Sequence, residues 1–236
     1  MVLDTVDSTM AEAARRAADL ERPTWIIAKT QTAARGRRGR PWIVPPGNLN
    51  ATLIFRPGAT AQEAAKRSFL AANALYQALS IYVPADKLSL KWPNDVLLSG
   101  GKVAGILLES SGQGPFVDWL SIGIGVNLRH TPEGVADAAF APTSVFEETE
   151  VDIAPMDFLS TLADAYATQE AKLLRLGFQR IRDDWLAHAA RLGEVITART
   201  GREEITGIFD SIDADGNLVL ITGTGPRAIA AADVFF

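Results

Sequence analysis

Four arginines and two glycines fall within nine positions of the segment ARGRRGRPW at 34–42, in a chain whose net charge is −5. Guanidinium groups bind phosphate or carboxylate through fixed pairs of hydrogen bonds, and glycine lets backbone amides approach a ligand closely. A run of charge is more often a solvated surface turn, and spacing alone leaves both interpretations open. Residues 34–42 are called the arginine loop below. Their side chains predict a mobile loop that binds an anion.

Two further stretches combine reactive side chains with an apolar setting. In KWPNDVLLSGGKVAGILLE, at 91–109, Lys102 leads directly into the apolar run VAGILL, so we expect its ammonium group at the mouth of an apolar cavity. Taken alone, a lysine on a strand edge more often serves to prevent aggregation. In IGIGVN, at 122–127, glycines within a buried strand indicate the close approach of something flat.

Hydrophobic spacing predicts the elements that must position these stretches. Helical spacing after Thr9, with Glu12 three residues on, predicts a capped helix start. Ser99–Gly101 predicts the turn of a β-hairpin. The predicted elements are a helix at 9–20, strands at 24–30 and 50–56, a helix at 61–80, strands at 88–92, 95–99, 102–110 and 116–128, and helices near 156–175 and 178–190.

The remaining segments predict a loop and a separate module. Residues 129–148 are polar, contain proline and are too long for a simple turn, so they form a candidate functional loop. After Arg191, short apolar segments alternate with Gly/Asp turns, which predicts a small all-β module. We therefore predict an α+β fold, with a mixed β-sheet catalytic domain flanked by helices over residues 1–188 and a small C-terminal, barrel-like all-β domain over residues 189–236.

Composition and missing motifs exclude several classes. The absence of cysteine excludes disulfides and thiolate metal sites. No apolar run reaches the roughly 18 residues of a membrane span, the first residues lack a signal-peptide pattern, and the acidic balance argues against broad nucleic-acid binding. A cytoplasmic location is expected. With two histidines and no G-x-S-x-G, the chain does not resemble a serine hydrolase.

Taken together, the motifs resemble the biotin–protein ligases, specifically the monofunctional kind. The combination of the arginine loop with K-W-P-N-D is highly specific, and the resemblance covers nearly the whole chain. The matching strings, in order, are D-S-T (7–9), Q-T-A-A-R-G-R-R-G-R-P-W (31–42), K-W-P-N-D (91–95), K-V-A-G-I-L (102–107), G-I-G-V-N (123–127) and A-P-T-S (141–144).

The resemblance implies an ATP- and Mg²⁺-dependent enzyme. It would activate biotin as biotinyl-5′-AMP with release of pyrophosphate, then transfer biotin to one lysine of a biotin carboxyl carrier protein or domain of a carboxylase. Attack of a carboxylate on a phosphate brings negative groups together, so preorganised donors are needed to neutralise them. The implied partners are ATP, biotin and that carrier. The resemblance implies no binding to DNA or to a membrane, and it leaves open whether the enzyme forms a homodimer.

The resemblance also implies a role for individual residues. Arg37 and Lys102 would hold the reacting anions, and Asp95 would orient the incoming lysine or accept its proton. Arg38 is expected to face solvent, and no residue is assigned to a protein-bound metal. The positions that match biotin contacts are Ser8, Thr9, Gln31, Arg35, Gly36, Gly105, Gly123 and Gly125. Those assigned to the nucleotide are Arg37, Arg40, Trp42, Lys91, Asn94, Lys102, Asn127 and, as a candidate cover for adenine, Phe140.

Two departures and two alternatives accompany the resemblance. Ala34 stands where the family's loop usually begins with glycine, and Met10 stands where asparagine is common. Lipoate or octanoate ligases share the expected fold but lack the arginine loop in this form. A non-enzymatic, biotin-responsive regulator would carry an N-terminal DNA-binding domain, for which D-S-T at residue 7 leaves no room, and a binding module would be expected to lack Arg37 or Lys102.

Overall fold

The structure is a computed structural model that describes residues 1–134 and 140–236. The described helices and strands form two β-sheets with helices packed on the first. The helices are α1 (Thr9–Arg16), α2 (Ala61–Ala65), α3 (Arg67–Leu79), α4 (Val145–Thr149) and α5 (Pro155–Leu186). The strands are β1 (Val2–Val6), β2 (Thr24–Gln31), β3 (Leu49–Phe55), β4 (Leu88–Lys91), β5 (Asp95–Leu98), β6 (Gly101–Ser111), β7 (Trp119–Val126), β8 (Val195–Arg199), β9 (Glu204–Ile212), β10 (Leu218–Thr222), β11 (Gly225–Ile229) and β12 (Asp233–Phe235).

The first sheet is mixed and has seven strands in the order β1-β2-β3-β7-β6-β5-β4. Only β1 and β2 pair in parallel, and each of the other neighbouring pairs is antiparallel. Every residue of β3 is buried, because helices or other chain segments cover both faces of the sheet at its centre. This arrangement confirms the predicted α+β fold class.

The two faces of this sheet are covered differently. On one face α3 and α5 pack over a large apolar core that includes Leu70 and Phe158. On the other face the shorter α1 packs Ala13 against Ile26 and Ile54. Because side chains alternate between the faces of a strand, residues 50, 52 and 54 of β3 share the face of α1. That helix covers only part of the face, and the rest is the floor of the cavity described below.

The start of α1 differs from the prediction. The capping residue is Ser8 rather than Thr9: Ser8 has an extended backbone and its hydroxyl accepts a hydrogen bond from the amide of Met10 at 3.2 Å. The helix ends at Arg16 instead of residue 20. Two elements were not predicted: the edge strand β1, and the single helical turn α4 that Ser144 caps within the predicted 129–148 loop.

Helix α5 agrees with the two predicted helices, because Gly177 interrupts its helical geometry with φ 76° and ψ 175°. A positive φ at this value of ψ is open to glycine and strained for other residues. The predicted hairpin turn at Ser99–Gly101 is also present between β5 and β6, with positive φ at Ser99 and Gly100.

The second sheet is antiparallel, with five strands in the order β11-β10-β9-β8-β12. The structure thus confirms the predicted all-β module. It packs against the helices through Phe209, whose ring lies 6.5 Å from that of Trp185, and the indole of Trp92 donates a hydrogen bond to the carbonyl of Gly216 at 3.1 Å. The two sheets therefore share one apolar core. Within the described ranges, no helix combines the length and apolarity that a membrane crossing requires.

Candidate active site

All of the site residues predicted from the sequence line one cavity of about 520 Å³. The cavity lies between the face of the first sheet, the arginine loop above it and the edge of the second sheet. The predicted lining residues are Ser8, Thr9, Gln31, Arg35, Gly36, Arg37, Arg40, Trp42, Lys91, Asn94, Asp95, Lys102, Gly105, Gly123, Gly125, Asn127 and Phe140.

The floor of the cavity is a row of residues in register across four strands. Asn50 pairs with Gly125, Gly125 with Gly105, and Gly105 with Asp95. Neighbouring strands lie about 4.8 Å apart, so two adjacent glycines make a shallow trough with polar side chains at both ends. The half-buried indole of Trp42 covers this trough: a Cβ built on Gly125 would lie 2.5 Å from Trp42 Nε1, and one on Gly105 would lie 3.3 Å from the ring.

This packing predicts different effects for two glycine-to-alanine substitutions, one in β7 and one outside the cavity. Gly125→Ala is expected to displace Trp42 and to weaken biotin binding about five- to hundredfold, since overpacking of this kind costs about 1–3 kcal/mol. Gly201→Ala is the control, because Gly201 is exposed between β8 and β9 and a Cβ built there would meet nothing within 4 Å. Isothermal titration with biotin measures both variants, and equal losses would contradict the assigned role of Trp42.

A buried carboxylate joins two lysines at one end of the trough. Asp95 Oδ1 lies 2.6 Å from Lys102 Nζ, and its Oδ2 lies 3.6 Å from Lys91 Nζ. Burial by itself would raise the pKa of Asp95, but the charges of Lys102 and Lys91 outweigh it and hold that pKa below its ordinary value. Burial lowers the pKa of Lys91, against the attraction of Asp95. The group therefore places two lysine side chains around one carboxylate where an anion would arrive.

The turn between β4 and β5 positions this group. Lys91 and Asp95 face each other in register at the ends of the two strands, and the intervening turn contains a cis Trp92–Pro93 peptide. Asn94 lies at the top of the turn, where its amide donates to the carbonyl of Ile106 at 2.5 Å. The turn therefore fixes lysine, amide and carboxylate side chains on one short, rigid hairpin.

The arginine loop closes on itself and directs the guanidinium of Arg37 towards Asn94. Arg37 Nη1 donates to Asn94 Oδ1 at 3.3 Å, and burial lowers the pKa of Arg37 from its ordinary value. The base of the loop is closed by hydrogen bonds between the Gly36 amide and the Arg40 carbonyl (2.8 Å) and between the Trp42 amide and the Ala34 carbonyl (3.0 Å).

The other three arginines of the loop pair with carboxylates. Arg35 binds Glu109 of β6 at 3.0 Å, and both Arg38 and Arg40 bind Asp233 of β12. Arg38 is exposed, as predicted, but it is not simply solvated. Part of the surface of Arg35 and of Arg40 lines the cavity. Their guanidinium groups are held by Glu109 and Asp233, respectively.

A polar cluster lies at the opposite end of the floor from the lysines. Gln31 Oε1 accepts hydrogen bonds from the amide of Thr9 at 2.7 Å and from its hydroxyl at 3.1 Å. The hydroxyl of Thr52 donates to that of Thr9 at 2.8 Å. Together with the hydroxyl of Ser8, these groups offer donors and acceptors to a neutral polar ring.

The remaining wall combines an aromatic ring with amides. Lys91 Nζ lies 4.8 Å from the centre of the Phe140 ring, which in turn contacts Phe236 with a centroid separation of 4.5 Å. Asn127 donates to the carbonyl of Thr143 at 2.9 Å. Residues 135–139 of the predicted 129–148 loop lie outside the described residues.

Sequence reasoning missed several lining residues, of which Asn50 and Asp233 are charged or polar. Asn50 is buried, and its Oδ1 has no hydrogen-bond partner within the described residues. The sequence could have indicated Asn50 as a site residue, since a single asparagine is unusual in the apolar strand NATLIF. Asp233 gave no such signal, because it lies in the second sheet, where no motif was recognised. Across residues 1–134 and 140–236, no three His, Asp or Glu side chains are arranged to hold a metal ion.

Comparisons with known proteins agree on one protein family. The family model described as "Biotin/lipoate A/B protein ligase family" matches residues 2–127, and that described as "Biotin protein ligase C terminal domain" matches residues 192–236. The chain is 52% identical to a biotin–[acetyl-CoA-carboxylase] ligase of Paracoccus denitrificans, over 100% of this chain and 99% of that protein. It is 31% identical to the Mycobacterium tuberculosis protein of the same name, over 89% and 77% of the two chains.

Solved structures agree with these relatives. The biotin protein ligase of Aquifex aeolicus in complex with biotin and ATP superimposes with a TM-score of 0.84 at 27% identity, over 99% of this chain and 97% of that one.

Proposed function

The chain belongs to the biotin/lipoate A/B protein ligase family, and from that premise we propose how its cavity works as an ATP-dependent biotin–protein ligase. It activates biotin with ATP and attaches it to protein, as the resemblance implied. The observation that carries the assignment of roles is the convergence of Arg37, Lys91 and Lys102 around Asp95, at one end of a trough floored by glycine.

In the proposed first step, the carboxylate of biotin attacks the α-phosphate of ATP and pyrophosphate leaves. Lys102, which can turn from Asp95 towards an incoming anion, holds the carboxylate and then the α-phosphate. Arg37 contacts the same two groups from above. Donors fixed in a partly desolvated site stabilise the charge that develops in such a transition state.

The proposed biotin site extends from these cations along the floor. The ureido ring lies against Ser8, Thr9 and Gln31, whose hydroxyl and amide groups match a neutral polar ring. The remaining biotin contacts come from the loop and the floor, namely Arg35, Gly36, Gly105, Gly123 and Gly125. Trp42 would move off the glycine floor, which its ring contacts directly in this structure, and pack on the bound ligand.

The proposed nucleotide site lies beyond Lys91, where Phe140 forms an edge of the cavity. We propose that Phe140 covers adenine and that Asn94, Asn127 and Arg40 contribute polar contacts. Mg²⁺ would enter as part of the ATP substrate, bound to phosphate oxygens.

In the proposed second step, the lysine amine of a biotin carboxyl carrier domain attacks the acyl carbon of the adenylate, and AMP leaves. Asp95 lies beside the reacting carbonyl and either orients the amine or accepts its proton. We further propose that residues 1–188 form the catalytic domain and residues 189–236 the small second domain. The enzyme would work in the cytoplasm and would not bind DNA.

The test is exchange of labelled pyrophosphate into ATP. We expect exchange that requires both biotin and a divalent cation, because the first step is reversible and the cation neutralises the triphosphate. Lipoic acid in place of biotin is the matched control. Equal exchange with lipoate would move the chain to the lipoate-ligating part of the family, and exchange without any acid would refute adenylation.

A further inference from the structure

We propose that Asp233 is a positioning residue for the arginine loop. Resting on the proposed function, the inference is that Asp233 holds Arg38 and Arg40 against the second sheet, so that Arg37 is directed at Asn94 in the cavity before substrate binds. The second sheet would then contribute to adenylation without touching the reacting atoms.

The first supporting observation is the shared anchor. Arg38 Nη1 lies 2.7 Å from Asp233 Oδ2, and Arg40 Nη2 lies 2.6 Å from the same oxygen. The side chain of Asp233 is only 19% exposed. Its backbone is fixed, because Asp233 begins β12 and pairs with Arg199 of β8. Asp233 is held in a sheet, whereas Arg38 and Arg40 lie on a glycine-containing loop. The carboxylate is therefore the more fixed partner and can hold the loop in place.

The second observation is the backbone between the inward and outward arginines. Arg38 has φ 57° and ψ 26°, in the left-handed region, and Gly39 follows with φ 72°. The left-handed region is unfavourable for a residue with a side chain and persists where surrounding contacts over-determine it. The reversal places Arg38 outside while Arg37 points inward. The ion pair at Arg38 supplies a contact that holds this conformation.

The third observation is the division of the four loop arginines. Arg35 is held by Glu109 on the first sheet, and Arg38 and Arg40 are held by Asp233 on the second. The loop is therefore fixed at both sides, while Arg37 hydrogen-bonds to an uncharged amide, that of Asn94. Among the four, Arg37 is the one whose described hydrogen bond goes to a neutral group, while Asp233 and Asp95 act on it through charge at longer range.

Limited trypsin digestion of the full chain without ligand tests the inference, since trypsin cuts after arginine and Asp233→Asn changes none of these sites. We expect cleavage within residues 35–39 to accelerate about two- to tenfold in Asp233→Asn, because two partly exposed ion pairs contribute modestly to closure. Asp210→Asn is the control, as it removes an exposed carboxylate of the same sheet whose described partner is the Ser211 hydroxyl. Asp233→Glu should restore most of the protection.

Salt separates a charge-based anchor from a general loss of folding. At about 1 M salt, where the Debye length falls to about 3 Å, the difference between wild type and Asp233→Asn should become smaller. A difference that does not change with salt, or cleavage throughout the chain, would overturn the inference. So would equal rates of cleavage at low salt.

A second measurement links the anchor to the reaction. In Asp233→Asn the half-life of enzyme-bound biotinyl-adenylate should shorten by a similar factor, while the Asp210→Asn enzyme retains the wild-type value. If the wild-type enzyme forms no adenylate, the proposed function fails; if it does and the half-life is unchanged in Asp233→Asn, only the anchor fails.

Discussion

Arg37→Gly is expected to form biotinyl-adenylate but to release it about ten- to hundredfold faster than wild type, since a charge-assisted hydrogen bond is worth about 1.5–3 kcal/mol. The physical reason is twofold. The substitution removes the loop guanidinium that hydrogen-bonds to Asn94 in the cavity, and glycine adds conformational freedom to the loop. Released mixed anhydride would acylate exposed lysines of other proteins.

Incubation of the variant with ATP, biotin and albumin, followed by blotting for biotin, measures this release. Arg38 is a poor control, because its ion pair with Asp233 helps to hold the loop. Arg22→Gly is a better control, as it removes an exposed arginine that does not line the cavity. If albumin is labelled no more by Arg37→Gly than by wild type, Arg37 does not retain the adenylate.

Lys102→Met is expected to lower the rate of adenylate formation by about a hundred- to a thousandfold, the typical cost of removing one preorganised donor from a developing anion. Methionine keeps the approximate length of the side chain but not its charge. Single-turnover formation of biotinyl-adenylate, with biotin saturating, measures the effect on the chemical step. Lys87→Met, at an exposed lysine before β4, should match wild type.

The same substitution has a second consequence for Asp95. Lys102 supplies the largest favourable charge to this buried carboxylate, so its removal should raise the Asp95 pKa and lower the free energy of unfolding near neutral pH. In wild type the Asp95 pKa is depressed on folding, so its stabilisation is present above the unfolded-state value of about 3.9 and is lost as pH falls through the folded-state pKa. The stability difference between wild type and Lys102→Met should therefore shrink as pH falls from the raised folded-state pKa of Asp95 in the variant to its depressed folded-state pKa in wild type. A difference independent of pH would assign the loss to packing.

Local patterns predicted most of the fold. The buried strands, the Ser99–Gly101 turn and the interruption of the last long helix at Gly177 each follow from hydrophobic period or from the conformational range of glycine. Strand β1 was missed because an edge strand with exposed residues carries little alternation. The Thr9 cap was misplaced because Ser8 and Thr9 have nearly the same capping propensity, and only the extended backbone at Ser8 distinguishes them.

The residues that line the cavity could be predicted where they lie in contiguous motifs. The arginine loop, K-W-P-N-D and the glycine strand meet because the strand order brings β3, β7, β6 and β5 together, and motif spacing carries no direct information on that order. What could not be predicted was the pairing of side chains between sheets. Asp233 lies 193 residues from Arg40 along the chain, and a lone aspartate ahead of a short strand has no local feature that indicates such a partner.

The glycine floor has a consequence for engineering the cavity to accept bulkier acids. Enlargement by mutation normally trims a side chain, but at Gly105 and Gly125 there is no side chain left to trim. Space over the floor can be gained only from the roof, where Trp42 covers both glycines, or from Met10 beside Gly123. Selection for altered acyl specificity should therefore yield substitutions in the arginine loop and α1, and leave the sheet unchanged.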